Sequence, residues 1–266
     1  MAVAVAEAVG NSDTWRLRAR PFLVSCASLA AGMIVWEVSA RLYFTPLRLP
    51  PVSQIWARAV ETAANGTLEL HIASSMFRIV AGFCVGSALG ILVGLAMGVV
   101  GTVQRFLDPI VNFLRFIPPI AWISPFLIWF GIGELSKVLL ITYTVTFMVM
   151  LNTIAGILAI HRNKLRVARC LGANRLQVFR FVIMPSVVGY ILTGMRIGMG
   201  NAFTTIVTAE MIAAQAGLGF LILVSKNFGG TDLIFLGMIT LGILGLLTDR
   251  LFVWAIDRWA RRFYLH

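Results

Sequence analysis

Six stretches of this chain are apolar over about the length a helix needs to cross a lipid bilayer. They cover residues 22–43, 75–100, 109–130, 137–160, 187–214 and 233–255. Hydrocarbon offers the backbone no water, so a spanning segment must close its hydrogen bonds within a helix or around a barrel. A barrel strand would alternate apolar and polar residues in segments of about ten. These runs do not alternate, so the expected fold class is an all-α polytopic membrane protein with six spans. Composition agrees: 59% of residues are apolar and only 12% charged, against about 25% charged in a soluble domain.

The formal charge of +11 invites a nucleic-acid partner, but the bases cluster beside spans on one side, as orientation signals do. Placing both termini in the cytoplasm puts Arg16, Arg18, Arg20, Arg105, the six bases from Arg162 to Arg180, Arg250, Arg258, Arg261 and Arg262 inside. Only Arg48, Arg58, Lys137 and Lys226 fall outside, and this asymmetry excludes a nucleic-acid reading in favour of a lipid bilayer. The domain organisation is then a cytoplasmic segment over 1–21, one transmembrane domain over 22–260 and a cytoplasmic end over 261–266. The first apolar run is longer than a signal-peptide core and lacks a convincing cleavage site, so it is read as a retained span.

Between spans four and five, residues 161–186 form a basic island without an acid. Two helical parts are expected, Lys164 to Leu171 and Arg175 to Val182, hinged at Gly172, with Pro185 stopping the second at the membrane surface. Such a helix–Gly–helix element on the cytosolic face reads as a docking site for a soluble partner.

Other features punctuate the spans. Gly82, Gly86, Gly90, Gly94 and Gly98 recur every four residues, a ridge that lets another helix approach closely; packing within the chain is favoured over a dimer contact. Asp108–Pro109 marks a helix start. Pro118 and Pro119, in the run Phe116-Ile-Pro-Pro-Ile-Ala-Trp122, break span three, and Pro125 breaks it again. The freed carbonyls must face protein or a water-lined path, because lipid cannot satisfy them. Val52 to Ala64 reads as an outer amphipathic helix with Ile55, Trp56 and Val60 on one face.

Charges within spans are functional candidates. The fifth span is the most polar and carries Thr193, Arg196, Asn201, Thr204, Thr205, Thr208 and Glu210. Arg196 faces either a solute path or a neighbouring helix. Glu210, near the outer end, is expected to be hydrated. The threonines line a polar path or bond back to their own helix. Glu37 and Arg41, spaced i,i+4, are expected to neutralise each other. The scarcity of acids beside Arg196 points to a small anion as solute.

The chain has no phosphate-binding GxxxxGK[ST] loop and no GxGxxG. His71, His161 and His266 have no metal-ligand spacing, and no nucleophile–base set is present. The expectation is a non-enzyme with no cofactor of its own. Cys26, Cys84 and Cys170 make no disulfide framework and read as small packing residues.

The basic island also resembles the cytoplasmic loop of permease subunits of bacterial binding-protein-dependent ABC importers. In that family a Gly and a Pro stand thirteen residues apart, as Gly172 and Pro185 do. Arg166, Val167 and Ala168 occupy the family's Glu-Ala-Ala positions, and only Ala168 matches. Further motifs are similar to the nitrate, taurine, aliphatic-sulfonate and bicarbonate branch, and closest to the taurine and sulfonate permeases. They are Pro118-Pro119-Ile-Ala-Trp122, Trp129-Phe-Gly-Ile-Gly-Glu-Leu-Ser-Lys137, Leu171-Gly-Ala-Asn-Arg175, Ile191-Leu-Thr-Gly-Met-Arg-Ile-Gly198, Ala209-Glu-Met-Ile-Ala-Ala214 and Gly217-Leu-Gly219-Phe.

The resemblance implies a type I importer transmembrane domain in a bacterial inner membrane. It implies a homodimer with two cytoplasmic ATPase subunits, which bind the ATP and Mg, and a periplasmic or lipid-anchored binding protein. Arg166, Ala168, Leu171, Gly172, Ala173, Asn174, Arg175 and Pro185 would form the loop that couples to the ATPase. Pro118, Pro119, Trp122, Arg196, Asn201, Thr204, Thr205, Thr208 and Glu210 would line the path. The alternative is an ion-gradient transporter or channel for a small anion.

Overall fold

The computed structural model describes residues 14–260; the expected cytoplasmic end over 261–266, with Arg261 and Arg262, and the first thirteen residues lie outside them. The described chain is helical throughout, with no strand. Its helices are α1 (Thr14–Tyr43), α2 (Val52–Ala64), α3 (Thr67–Val99), α4 (Gly101–Leu114), α5 (Ile123–Phe130), α6 (Glu134–Leu158), α7 (Arg162–Cys170), α8 (Arg175–Val178), α9 (Met184–Ala213), α10 (Leu218–Asn227) and α11 (Thr231–Ala260).

The bundle is built on α3, α6 and α9. The glycine ridge of α3 lies against α6: Gly82 meets Ile141, Gly86 meets Val145, Gly90 meets Val149, Gly94 meets Thr153 and Gly98 meets Ile157. A Cβ on Gly86 would stand 2.8 Å from the Thr142 carbonyl oxygen, and one on Gly90 2.8 Å from that of Thr146. The backbones therefore approach too closely for any side chain, which is the use small residues have between membrane helices. The ridge packs inside the chain, as expected.

These contacts advance together along both helices, so α3 and α6 run parallel. The intervening residues 100–133 must therefore return the chain from one end of the bundle to the other. They do so as a broken element: the part 101–114 and the part 119–130 meet at 92°. A 3₁₀ turn over Pro119–Trp122 links them, and Pro118 precedes it in an extended conformation. On the other flank, Gly194 of α9 lies against Asn152, and Gly198 against Val145, so α9 runs antiparallel to α6. The central apolar cluster joins Ile79 and Phe83 of α3, Ile141, Val145 and Val149 of α6, and Met199, Ala202 and Ile206 of α9.

Among the described residues, four helical stretches are long and apolar enough to span a bilayer, or five if the bent pair is one span. The run over 22–43 lies within α1. Leu29, Met33, Ile34, Val35 and Leu42 of this helix are exposed, as lipid-facing side chains are.

The prolines depart from their expected roles. Pro109 lies inside α4 instead of at a helix start. Pro125 does not break the chain; it is the third residue of α5, where the missing N–H has no intrahelical acceptor to lose. Pro185 does not stop a helix either. It is the second residue of α9, directly after a π turn over Phe179–Ile183 that continues α8. The wider i→i+5 turn makes room for the ring where an α turn would set it against the carbonyl four residues back.

On α2, Ile55 is buried while Trp56 and Val60 are exposed, so the three do not share one buried face. Arg58 of α2 bonds the Asp232 carboxylate at 2.7 Å, tying α2 to the start of α11, and the contact pushes the Arg58 guanidinium further toward its charged form. Cys84 and Cys170 are free and exposed, not packing residues; the Cys26 side chain lies outside those described.

Candidate functional site

The basic loop is a helix–turn–helix that projects from the ends of α6 and α9. Its first helix, α7, carries no acid to complement its N-terminus and buries none of its residues. It ends at Gly172, whose φ of +79° lies in the left-handed region. The Gly172 amide donates to the Arg169 carbonyl at 3.0 Å, and the Ala173 amide to that of Ala168 at 3.1 Å, which closes the end of α7.

Asn174 then caps α8. Its side chain accepts from the Gln177 amide at 2.8 Å, while the Gln177 side chain accepts from the Asn174 amide at 2.8 Å. This reciprocal capping box follows the pattern of a polar cap residue with Gln three positions on. Sequence reasoning named Asn174 but missed that role and Gln177.

The loop is held by a small apolar foot. Val178, Ile183, Val187 and Ile191 are buried, with Leu165, Ala168 and Ala173 packed against them. Above the foot, Val167, Leu171, Leu176 and Phe181 are exposed, Leu171 at 82%. Arg166 and Arg175 flank them and are also exposed. A groove of about 710 Å³ runs along Lys164, Val167, Leu171, Phe181 and Pro185. The structure brings all eight residues of the expected coupling set into this one projection. Its chemistry is an apolar strip rimmed by guanidinium groups, suited to a partner with an apolar groove and acidic edges.

The residues expected along a path are not all together. Arg196 donates from Nε and Nη2 to the two carboxylate oxygens of Asp249 on α11, at 2.6 and 2.8 Å. The pair stands in an open cavity of about 420 Å³ that also touches Thr204. This is the neighbouring-helix alternative, with the pair bordering an open cavity between α9 and α11. Asn201, Thr204 and Thr208 lie one turn apart and bond back to carbonyls four residues earlier. Thr205 points inward and bonds Thr144 of α6 at 3.3 Å. Pro118, Pro119 and Trp122 lie at the α4–α5 break, where Trp122 stacks within an aromatic group of Phe126, Trp129 and Tyr143.

Glu210 contradicts the expectation of hydration. Its side chain is 0% exposed and pairs with Arg78 of α3 at 2.7 Å. Ser75 donates to both of its oxygens at 2.8 and 2.9 Å, and the Gly219 amide donates at 2.9 Å. Three donor groups, the Arg78 guanidinium, the shared Ser75 hydroxyl and the Gly219 amide, thus replace water around a buried carboxylate, the condition under which such a charge is tolerated. Arg78 also donates to the Ala216 carbonyl at 2.7 Å and, on its other edge, to both oxygens of Glu134. Lys137 reaches Glu134 at 3.0 Å.

The Gly217-Leu-Gly219 motif follows from this packing. Gly217 has φ +131°, and a Cβ there would lie 2.3 Å from the Glu210 carboxyl carbon. The network joins α3, α6, α9 and the segment before α10. Sequence reasoning missed it; the only signal was that Arg78, Glu134 and Glu210 all stand at or near the ends of the expected spans. Among the described residues, no group of acids, histidines and cysteines is placed to hold a metal ion.

A parallel helix pair, a 92° bend in the chain between them and a basic loop projecting from one end describe a polytopic helical membrane protein. Residues 86–263 match the family described as "Binding-protein-dependent transport system inner membrane component". The chain belongs to that family and is a multi-pass membrane protein of the inner membrane.

It is 39% identical to the taurine transport system permease protein TauC of Escherichia coli, over 88% of this chain and 87% of that one. It is 33% identical to the putative aliphatic sulfonates transport permease protein SsuC of Bacillus subtilis, over 86% and 83%. It is 31% identical to the nitrate import permease protein NrtB of Synechococcus elongatus, over 88% of each. Its fold is that of type I ABC importer transmembrane domains. The inward-facing MetNI methionine ABC transporter superimposes with TM-score 0.59 at 21% identity, covering 73% of this chain and 96% of that one. An amino acid ABC transporter does so with TM-score 0.59 at 15% identity, covering 77% and 97%.

Proposed function

We propose that this chain is the non-catalytic permease subunit of an ATP-driven importer that carries a small anion, of the taurine, sulfonate or nitrate kind, into the cytoplasm. In this reading it has six spans with both ends inside and works as a homodimer. It receives solute from a periplasmic or lipid-anchored binding protein and is driven by two cytoplasmic ATPases that bind the ATP and Mg. Alternating access follows when the ATPases close and draw the two basic loops together.

The observation that carries the proposal is the shape of the 161–186 loop. Leu171 and Val167 stand out from a base that is itself fixed by buried contacts, by Gly172 and by the Asn174–Gln177 cap. An exposed apolar tip on a rigid mount transmits force; the same tip on a loose loop would not. Relatives named for taurine, sulfonate and nitrate transport support a solute that carries a sulfonate or nitrate group.

The test is docking. Leu171→Cys in the assembled complex should crosslink to a cysteine scanned along the ATPase groove. A loop that crosslinks nowhere on the ATPase contradicts the proposal. The gradient-driven alternative predicts instead that this chain alone, without ATPase, carries the solute in liposomes.

A further inference from the structure

We propose that Arg78 and Lys137 form a binding site for a small monovalent oxyanion, and that the Glu134 carboxylate occupies it in the conformation seen here. The four charged side chains of the network are not equally buried. Arg78 is 4% exposed, Lys137 5% and Glu210 0%, but Glu134 is 52% exposed. The two cations and Glu210 therefore belong to the protein interior, and Glu134 reaches them from the surface.

Glu210 neutralises one of the two cations. His71, the remaining titratable group beside the network, accepts a hydrogen bond at Nδ1 from the Gly217 amide at 3.0 Å. It is not doubly protonated and adds no charge. Without Glu134, the interior would hold one uncompensated positive charge, a state that is strongly disfavoured in a low-dielectric setting. One monoanion satisfies it.

The geometry of that anion is already marked out. Glu134 accepts on both oxygens from the Nε and Nη2 of Arg78, and on one from Lys137. A forked guanidinium plus an ammonium is the donor set that a planar or tetrahedral oxyanion takes. The site opens into a cavity of about 600 Å³ bordered by Phe77, Gly133 and Gln215, within the volume range of small-molecule sites. The carboxylate also has room to leave. Glu134 is the first residue of α6, after Gly131 at φ +76° and Gly133, and a Cβ on either glycine would meet nothing within 4 Å.

The cavity lies at the end of the bundle away from the basic loop, since α3 and α6 both begin there and α6 ends at the loop. Solute released at that end would meet this site first. The inference deepens the importer reading by giving the permease itself an anion site.

The test uses the full chain in nanodiscs of zwitterionic lipid, with methanesulfonate as probe and titration calorimetry as readout. Glu134→Ala should bind the probe roughly tenfold or more tightly than the unaltered chain, the scale of one charge-assisted contact set. The double variant Glu134→Ala/Lys137→Met should lose that gain. Glu134→Gln serves the same comparison if the alanine variant does not purify as a monodisperse species.

Equal affinity with and without Glu134 overturns the proposal, as does a gain that survives Lys137→Met. Nanodiscs containing phosphatidylglycerol add a third arm. If anionic lipid abolishes the gain, the site belongs to a lipid phosphate and the solute assignment falls. Because neither ATPase nor binding protein is present, failure here is distinct from failure of ATP-driven uptake, which bears on the importer reading alone.

Discussion

The Ala173 amide donates to the Ala168 carbonyl across Gly172, whose backbone is left-handed. That bond ends α7 and sets the angle at which Leu171 is presented. Nothing lies within 4 Å of a Cβ built on Gly172, so the glycine is there for its backbone, not for space. Gly172→Ala should retain docking at a strain cost of about 1–2 kcal/mol. Gly172→Asp and Ala173→Asp should abolish ATP-dependent uptake while the permease still reaches the membrane. Uptake assays with membrane quantification check this, and unaltered transport in both aspartate variants would end the docking assignment.

The glycine ridge makes an independent prediction about stability. Gly86→Ala places a methyl group 2.8 Å from the Thr142 carbonyl oxygen and the Val145 Cβ. The expected loss is about 1–3 kcal/mol, read as a lower thermal midpoint in detergent. Gly189→Ala, with nothing within 4 Å of the new atom, should leave the midpoint unchanged or raise it slightly, since alanine favours a helix interior by about 0.5–1 kcal/mol.

Breaking the Arg78–Glu210 pair should be costly from either side. Arg78→Met leaves a fully buried carboxylate, and Glu210→Leu leaves the guanidinium short of an acceptor. Each loss is expected at about 3–5 kcal/mol. The double variant should be less destabilised than the sum of the two, which a double-mutant cycle on thermal or denaturant unfolding measures.

Arg196→Ala separates path from scaffold. The Arg196–Asp249 pair lies outside the packed core of the bundle, so the substitution opens no cavity there. Folding should be unaffected, while transport of a sulfonate or nitrate falls. If the variant transports normally, Arg196 is a surface tie between α9 and α11 and not a path residue.

What the sequence made legible is what local pattern determines. The four-residue glycine period marked the face of α3 that packs inside the chain, because period and helix repeat act within one segment, but it did not name α6 as the partner. The Gly172–Pro185 spacing and the basic island located the loop for the same reason. The errors were long-range or depended on turn type. Glu210 reads as hydrated because its partner, Arg78, lies 132 residues earlier, and no local rule connects them. The Arg196–Asp249 pair spans 53 residues and was missed likewise. Pro185 reads as a stop because a proline disrupts an α turn; the π turn before it, which admits the ring, has no reliable sequence mark. Pro125 reads as a break, but the 3₁₀ turn at Pro119–Trp122 restarts the helix two residues before it.

The most direct measurement is uptake of radiolabelled taurine and nitrate by proteoliposomes. One set holds this chain with its ATPase and binding protein, the other holds this chain alone, each with and without internal ATP. The account predicts accumulation of at least one solute only with all components and ATP. Accumulation by this chain alone, driven by an ion gradient and indifferent to ATP, would contradict it.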